Sequence, residues 1–335
     1  MNKLDTTALL QRLSAGDRSA LAQGITLVES QAEALQSVAA EIVNAALAVA
    51  VPSLRLGITG IPGVGKSTLI DSLGLALIEQ GHRVAVLAID PSSARSGGSI
   101  LGDKTRMERL SVHEAAFVRP TATGGNLGGV GRRTRETIAL CEAAGYDRIV
   151  VETVGVGQNE LEVERLIDLN ILVMMPGTGD ELQGIKRGIM ETADVIVLNK
   201  SDEVDAAVLA RANNDLQQAL QLLPPRHDGH RPKVLACSGL LGTGIHELVS
   251  HITALHTERA NTGVWQRRRA DQLHDWVWAS AEEQLLLQFR TELSDHTLRT
   301  GLDLEVGSGR TGPTTAARRL VEHFRTSGAP PRGER

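Results

Sequence analysis

The chain has 335 residues, 22% of them charged, and a formal net charge of -5; it is long enough for a substantial core, and its interspersed signs argue against a nucleic-acid-binding or membrane-surface protein. Aromatic residues are only 2%, which removes base-stacking platforms. The two cysteines, Cys141 and Cys237, stand far apart with no second thiol nearby, excluding a zinc ribbon or a CxxC redox site. Reduced, buried thiols of a cytoplasmic protein are expected.

The amino terminus, "MNKLDTTALLQRL", lacks the apolar core of a signal peptide, and no run reaches the ~18 apolar residues that cross a bilayer. Residues 1–50 read as a helical extension: "TTALLQRL" and "QAEALQSVAAEIVNAALAVA" space their apolar residues three and four apart. Pro52 ends that section. From 51 to 255 short apolar runs alternate with helical patterns, with strands expected at Leu54–Thr59, Val84–Ile89, Arg148–Glu152, Asn170–Met175, Val195–Asn199 and Lys233–Cys237. Nearly continuous apolar strands of this kind suit an α/β domain with a mostly parallel central sheet flanked by helices. Residues 256–327 read as a helical arm, with a long charged helix over Trp265–Leu293, a glycine-rich hinge "EVGSGRTGP", and a second helix with Pro313 in its first turn. Residues 328–335 read as a disordered tail.

The stretch "GITGIPGVGKSTLID" carries the chemistry. Gly60-x-x-x-x-Gly65-Lys66-Ser67 is a Walker A pattern between an expected strand and an expected helix. Its residues Gly60, Ile61, Pro62, Gly63, Val64, Gly65, Lys66, Ser67 and Thr68 form the candidate phosphate-binding loop. The glycines let backbone N–H groups converge on phosphate oxygens at a helix N-terminus. Lys66 reaches the β and γ phosphates, and Ser67 ligates Mg²⁺. A chance glycine-rich turn is the bland alternative, and the strand–loop–helix context weighs against it.

The base is read from "VLNKSD". Asn199-Lys200-x-Asp202 ends an apolar strand, and a carboxylate there accepts from both N1–H and the 2-amino group of guanine, a donor pair that adenine lacks. Asn, Ser and Asp also favour plain turns. Ser238-Gly239-Leu240, after the last expected strand, is similar to the loop whose backbone contacts the guanine oxygen. GTP and GDP are therefore the expected ligands, with Mg²⁺.

At the end of its strand, Glu152 is placed to hold Mg²⁺, and Gly155 to present its N–H to the γ-phosphate. In "IDPSSARSGGSILGDKTRM", Asp90 and Asp103 are two further acids of a first switch; either one reaches the metal shell, or caps a helix or turn. No glutamine directly follows Gly155, and Gln158 is the nearest substitute, so slow intrinsic hydrolysis stimulated by a partner is expected. Arg106, Arg109, Arg132 and Arg133 are candidate internal cations, although arginine is more often simply solvated.

Six ordered blocks, "GIPGVGKST", "AIDPSSARSGGSILGDKTRM", "VRPTATGGNLGGV", "ETVGVGQNE", "PGTGDELQGIKRGIME" and "VLNKSD", together resemble the methylmalonyl-CoA mutase-associated GTPases, G-protein chaperones of adenosylcobalamin-dependent acyl-CoA mutases. Similar sequences have also been labelled amino-acid transport kinases or ATPases; the NKSD turn and the lack of a membrane-spanning run argue against that label. The resemblance implies GTP hydrolysis, gating of adenosylcobalamin delivery to a mutase and protection of that mutase. It also implies a homodimer built on carboxy-terminal helices, and an extra switch at Gly177–Gly188 in which Lys186 joins the catalytic set of Lys66, Glu152 and Gly155. Without the resemblance that stretch is a glycine-punctuated loop and Lys186 an ordinary helix-start cation. Trp276, Val277, Leu285 and Phe289 form either a dimer seam or a cover for the GTPase domain. A metallochaperone GTPase using His227 and His230 of "RHDGHRP" and a non-hydrolysing nucleotide-dependent regulator are the competing readings.

Overall fold

In β5 (Leu169–Met174), Leu169, Ile171 and Val173 join one buried cluster while Leu172 and Met174 join another. The next strand, β6 (Val195–Leu198), divides in the same way, Val195 and Val197 against Ile196 and Leu198. Successive strand side chains point to opposite faces, so both faces of the sheet are core, and this is why the runs are continuous rather than alternating.

The computed structural model of the chain describes residues 5–30, 32–90, 107–122, 129–153, 163–177, 187–226, 228–294 and 297–327. Its sheet has seven strands, all pairings parallel: β1 (Leu54–Thr59), β2 (Val84–Asp90), β3 (Ala116–Ala122), β4 (Arg148–Thr153), β5, β6 and β7 (Lys233–Ala236). The spatial order β3-β2-β4-β1-β5-β6-β7 puts β1 in the centre. Strands β2, β3 and β4 lie on one side of β1 and β5, β6 and β7 on the other, and ligands of open α/β sheets bind outside the carboxyl ends of the strands at such a switch point.

One strand, β3, lies outside the six expected from the sequence. Pro120 interrupts its apolar run, and proline is tolerated in a sheet where no neighbour needs the missing N–H. That condition holds at the edge, where β3 pairs with β2 alone. Three amino-terminal helices, α1 (Thr6–Ser14), α2 (Arg18–Glu29) and α3 (Glu33–Val49), pack on one another. Arg119 of β3 donates to Glu29 at 2.6 Å and to the Thr26 hydroxyl and the Ala22 carbonyl at 3.3 Å, so α2 is tied to the edge strand.

The remaining helices of this part are α4 (Lys66–Glu79), α5 (Glu108–Val112), α6 (Gly129–Ala143), α7 (Arg187–Thr192), α8 (Ala206–Gln221) and α9 (Ile245–Asn261), followed by α10 (Val264–Ser294). The chain divides into two compact units, Met1–Asp275 and Trp276–Arg335, with the division inside α10. In the second unit, which also holds α11 (Thr297–Gly307) and α12 (Pro313–Ser327), Phe289 meets Phe324 edge-on at 5.3 Å, and Leu293, Leu302 and Ala316 are buried. Pro313 opens α12, the position where its missing N–H costs nothing. Val277, Leu285, Leu286 and Leu304 are exposed.

At the amino ends of β5 and β6 the first unit is closed by buried ion pairs. Asp194 is fully buried and takes Arg259 at 2.7 Å, Arg226 at 3.2 Å and the Asn170 N–H at 2.7 Å. Arg269 of α10 grips both oxygens of Asp168 at 2.7 Å, and Arg268 and Gln272 donate to the Ile167 carbonyl at 3.0 and 2.7 Å. Burial pushes the Glu142 carboxyl upward, but neighbouring Arg55 and Arg269 and the Ser53 hydroxyl more than reverse this and hold it below its ordinary value. Removing one partner of a buried pair strands the other charge. Asp194→Ala is therefore expected to cost about 3–5 kcal/mol, read as a lower urea midpoint at unchanged m-value; a shift within error would show the pair to be idle.

Candidate nucleotide site

The phosphate loop runs from the carboxyl end of central β1 into α4, whose N-cap, Gly65, adopts a left-handed conformation at φ 83°. Gly60 could not be replaced: with φ at 153°, an added Cβ would stand 2.4 Å from the Val173 carbonyl oxygen. Val64 is fully buried and anchors the loop from below, while Pro62 and Gly63 are exposed. Lys66 is folded onto the loop, its Nζ donating to the carbonyls of Gly60 at 2.8 Å and Ile61 at 3.1 Å. Ser67 and Thr68 open α4 behind it.

Glu152 lies near the end of β4, in register with Ile58 of β1 and Ala88 of β2. The Ser67 hydroxyl donates to Glu152 Oε1 at 3.0 Å. A hydroxyl and a buried carboxylate side by side are the hard oxygen donors that Mg²⁺ selects, and this ion takes one or two protein oxygens and completes its shell with phosphate and water. The pair fits Mg²⁺ on its chemistry; no cluster of three or more His, Cys, Asp or Glu ligands occurs among the described residues. Asp90 ends β2, but its side chain lies outside the described residues, as do Asp103, Gly155 and Lys186 entirely.

Asn199 joins the two halves of the site. Its Nδ2 donates to the Val64 carbonyl at 2.8 Å and its Oδ1 accepts from the Gly239 N–H at 2.9 Å, so one buried amide ties the phosphate loop to the loop Ser238-Gly239-Leu240. Lys200 follows with φ at 58°, the left-handed region that a side chain with a Cβ rarely occupies. Backbone held in such a conformation clusters at functional sites. Asp202 is exposed, and its carboxylate makes no hydrogen bond or ion pair with any described residue. Ser238 is fully buried, its hydroxyl accepting from the Leu241 N–H at 3.0 Å, and Leu240 is 70% exposed.

Sequence reasoning missed how this loop is held. Arg109 of α5 donates to Asp71 at 2.7 Å and to the Ser72 hydroxyl at 2.8 Å, and Ser72 in turn donates to the Gly239 carbonyl at 2.6 Å. Arg109 is thus engaged with α4 rather than available as an internal cation, and Arg132 pairs with Glu136 at 2.9 Å. Arg106 and His227 lie outside the described residues. His230 Nε2 is 2.9 Å from the Asp194 carbonyl, an ordinary loop contact. Both cysteines are buried; burial pushes the Cys237 thiol up to about 12 and Cys141 higher still, which leaves them inert.

Residues 21–294 match the family model described as methylmalonyl Co-A mutase-associated GTPase MeaB. A protein of Caulobacter vibrioides described as a putative GTPase is 47% identical over 96% of this chain and 98% of its own length. The mouse methylmalonic aciduria type A homolog, a mitochondrial protein, is 41% identical over 93% of this chain and 77% of its own length. A solved structure described as an LAO/AO transport system kinase superposes with a TM-score of 0.73 at 36% identity, covering 97% of this chain and 99% of that one.

Proposed function

Because this chain belongs to the methylmalonyl-CoA mutase-associated GTPase family and is a GTP hydrolase, we propose that it works as a nucleotide-gated chaperone of an adenosylcobalamin-dependent acyl-CoA mutase. The observation that carries the guanine part is the Asn199 link between the phosphate loop and the base loop, with Asp202 exposed beside it. The client is supported by the family alone. No helix of the described residues is long and apolar enough to cross a membrane.

The chain's own residues account for most of the chemistry. The loop from Gly60 to Thr68, Pro62 excepted, presents backbone N–H groups and the positive end of α4 to the phosphates. Lys66 exchanges its two carbonyl partners for β- and γ-phosphate oxygens as charge gathers there. Ser67 and Glu152 would hold Mg²⁺, which supplies charge neutralisation on the phosphate oxygens. Asp202 accepts from the guanine edge, and Gly155, at the γ-phosphate, and Lys186, in the Gly177–Gly188 stretch, complete the proposed catalytic set. Asp90 and Asp103 are the proposed further contributors to the metal shell. The exposed apolar residues Val277, Leu285 and Leu286 of α10 support a homodimer seated on the second unit.

With no glutamine directly after Gly155, hydrolysis by the isolated protein is expected to be slow, and the client mutase to raise the single-turnover rate by about 10- to 1,000-fold. Single-turnover assays with and without the mutase read this directly, paired with co-purification in GDP and non-hydrolysable GTP-analogue states. Equal binding in both states would remove the gating role.

A further inference from the structure

We infer that Ser72, oriented by Arg109, is a positioning residue for guanine recognition: it fixes the peptide between Gly239 and Leu240 so that the Leu240 N–H faces the base. This rests on the guanine-nucleotide reading of the site above.

The argument begins with proton direction. A guanidinium only donates, so the Arg109–Ser72 contact at 2.8 Å consumes a lone pair of the serine oxygen and leaves its proton to the Gly239 carbonyl at 2.6 Å. Arg109 is itself held by Asp71 Oδ2 at 2.7 Å, while Asp71 Oδ1 accepts the Leu110 N–H at 2.8 Å. Asp71 and Ser72 are buried, while the Arg109 side chain that joins them is 58% exposed. The hydroxyl therefore has one orientation.

Peptide geometry carries the next step. Carbonyl and N–H of a trans peptide point in opposite directions; with the Gly239 carbonyl drawn toward α4, the Leu240 N–H is turned away from it. That N–H finds no acceptor among the described residues. Gly239 also packs closely on the first turn of α4, since a Cβ there would lie 2.8 Å from the Leu69 nitrogen and 3.1 Å from the Thr68 carbonyl carbon. Gly239 is also pinned through its own N–H to Asn199. Gly239 is thus held by α4 and by Asn199, with the Leu240 N–H left over as a donor. Guanine offers an acceptor in its 6-oxygen; adenine offers an amino group there, which repels an N–H.

Arg109 adds a connection. It sits at the start of α5, the first helix after the stretch that contains Asp103, so the base loop is held by a residue that follows the first switch in sequence. A change at α5 that withdraws Arg109 frees the serine proton and loosens the hold on guanine.

The test compares GDP with 6-thioguanosine 5′-diphosphate, which keeps both N1–H and the 2-amino group for Asp202 but puts a weakly accepting sulfur in place of the 6-oxygen. The wild-type protein is expected to prefer GDP by roughly tenfold, one well-formed hydrogen bond. In Ser72→Ala this preference falls to within about twofold while affinity for the analogue stays unchanged, the signature of a coupled pair in a double-mutant cycle. Arg109→Ala, at a half-exposed side chain, shows a smaller fall, and Arg109→Lys recovers part of it. Equal loss of GDP and analogue would make Ser72 merely structural, and an undiminished preference in both variants would also overturn the assignment. If Ser72→Ala does not fold, Arg109→Ala decides. Failure here combined with a successful base switch in Asp202→Asn would remove only the Ser72 role and leave the guanine reading standing.

Discussion

Lys66→Ala is expected to lower GTP turnover by about 10³-fold or more under single-turnover conditions, because one buried cation is asked to meet most of the charge that gathers on the transferring phosphoryl group. Loss of a single preorganised donor in a dry site already costs about 10²–10³-fold, and lysine also contributes its full charge. Lys66 is nine-tenths buried and bonded to the carbonyls of Gly60 and Ile61. Removing it leaves those two acceptors to water at the loop surface, a cost of about 1–3 kcal/mol, so the variant should remain folded by circular dichroism. Chromatographic quantitation of GDP released from stoichiometric enzyme and GTP checks the rate. Turnover within tenfold of the wild type would show that the phosphate loop is not the catalytic centre.

The second large effect concerns the base. Asp202→Asn is expected to weaken GTP binding by about 10²–10³-fold and to create affinity for xanthosine triphosphate. A carboxylate accepting two N–H groups contributes about 1.5–3 kcal/mol for each bond to the charged group. An amide keeps one acceptor and sets its NH₂ against the guanine 2-amino group, whereas xanthine carries a carbonyl at that position. Asp202 is exposed and makes no bond to any described residue, so the substitution should leave stability within about 0.5 kcal/mol. Competition titrations with the two nucleotides measure the exchange. Unaltered preference for GTP would mean that the NKSD turn does not touch the base.

How much of this was legible in the sequence depends on the range of the interaction. The central strands, the phosphate loop and the long helix over Trp265–Leu293, found as Val264–Ser294, follow from periodicity and short motifs, and all emerge from the chain as read. The edge strand at Ala116–Ala122 does not, because Pro120 and Arg119 break an apolar run whose tolerance is set by having only one neighbour. Arg268 and Arg269 stand in "WQRRRAD" at the start of the long charged helix, and they bind Ile167 and Asp168. Nothing local distinguishes them from Arg267. The same holds for Ser72 and Gly239, separated by 167 positions: a serine inside an ordinary helix carries no mark of the loop it will hold. Glu152 and Ser67 are each legible within their own motif, and the pairing of β1 with β4 is what brings the Ser67 hydroxyl to 3.0 Å from the Glu152 carboxylate.

The amide of Asn199 has a kinetic corollary. Its bonds to the Val64 carbonyl and the Gly239 N–H fasten the floor under the triphosphate and the wall beside the purine into one socket. A ligand entering such a socket spends little freedom on ordering loops, so capture of guanine nucleotides should run at a similar speed whatever the occupant, and differences among them should surface in how long each one stays. Cellular control of this protein would then act by setting when the spent diphosphate departs.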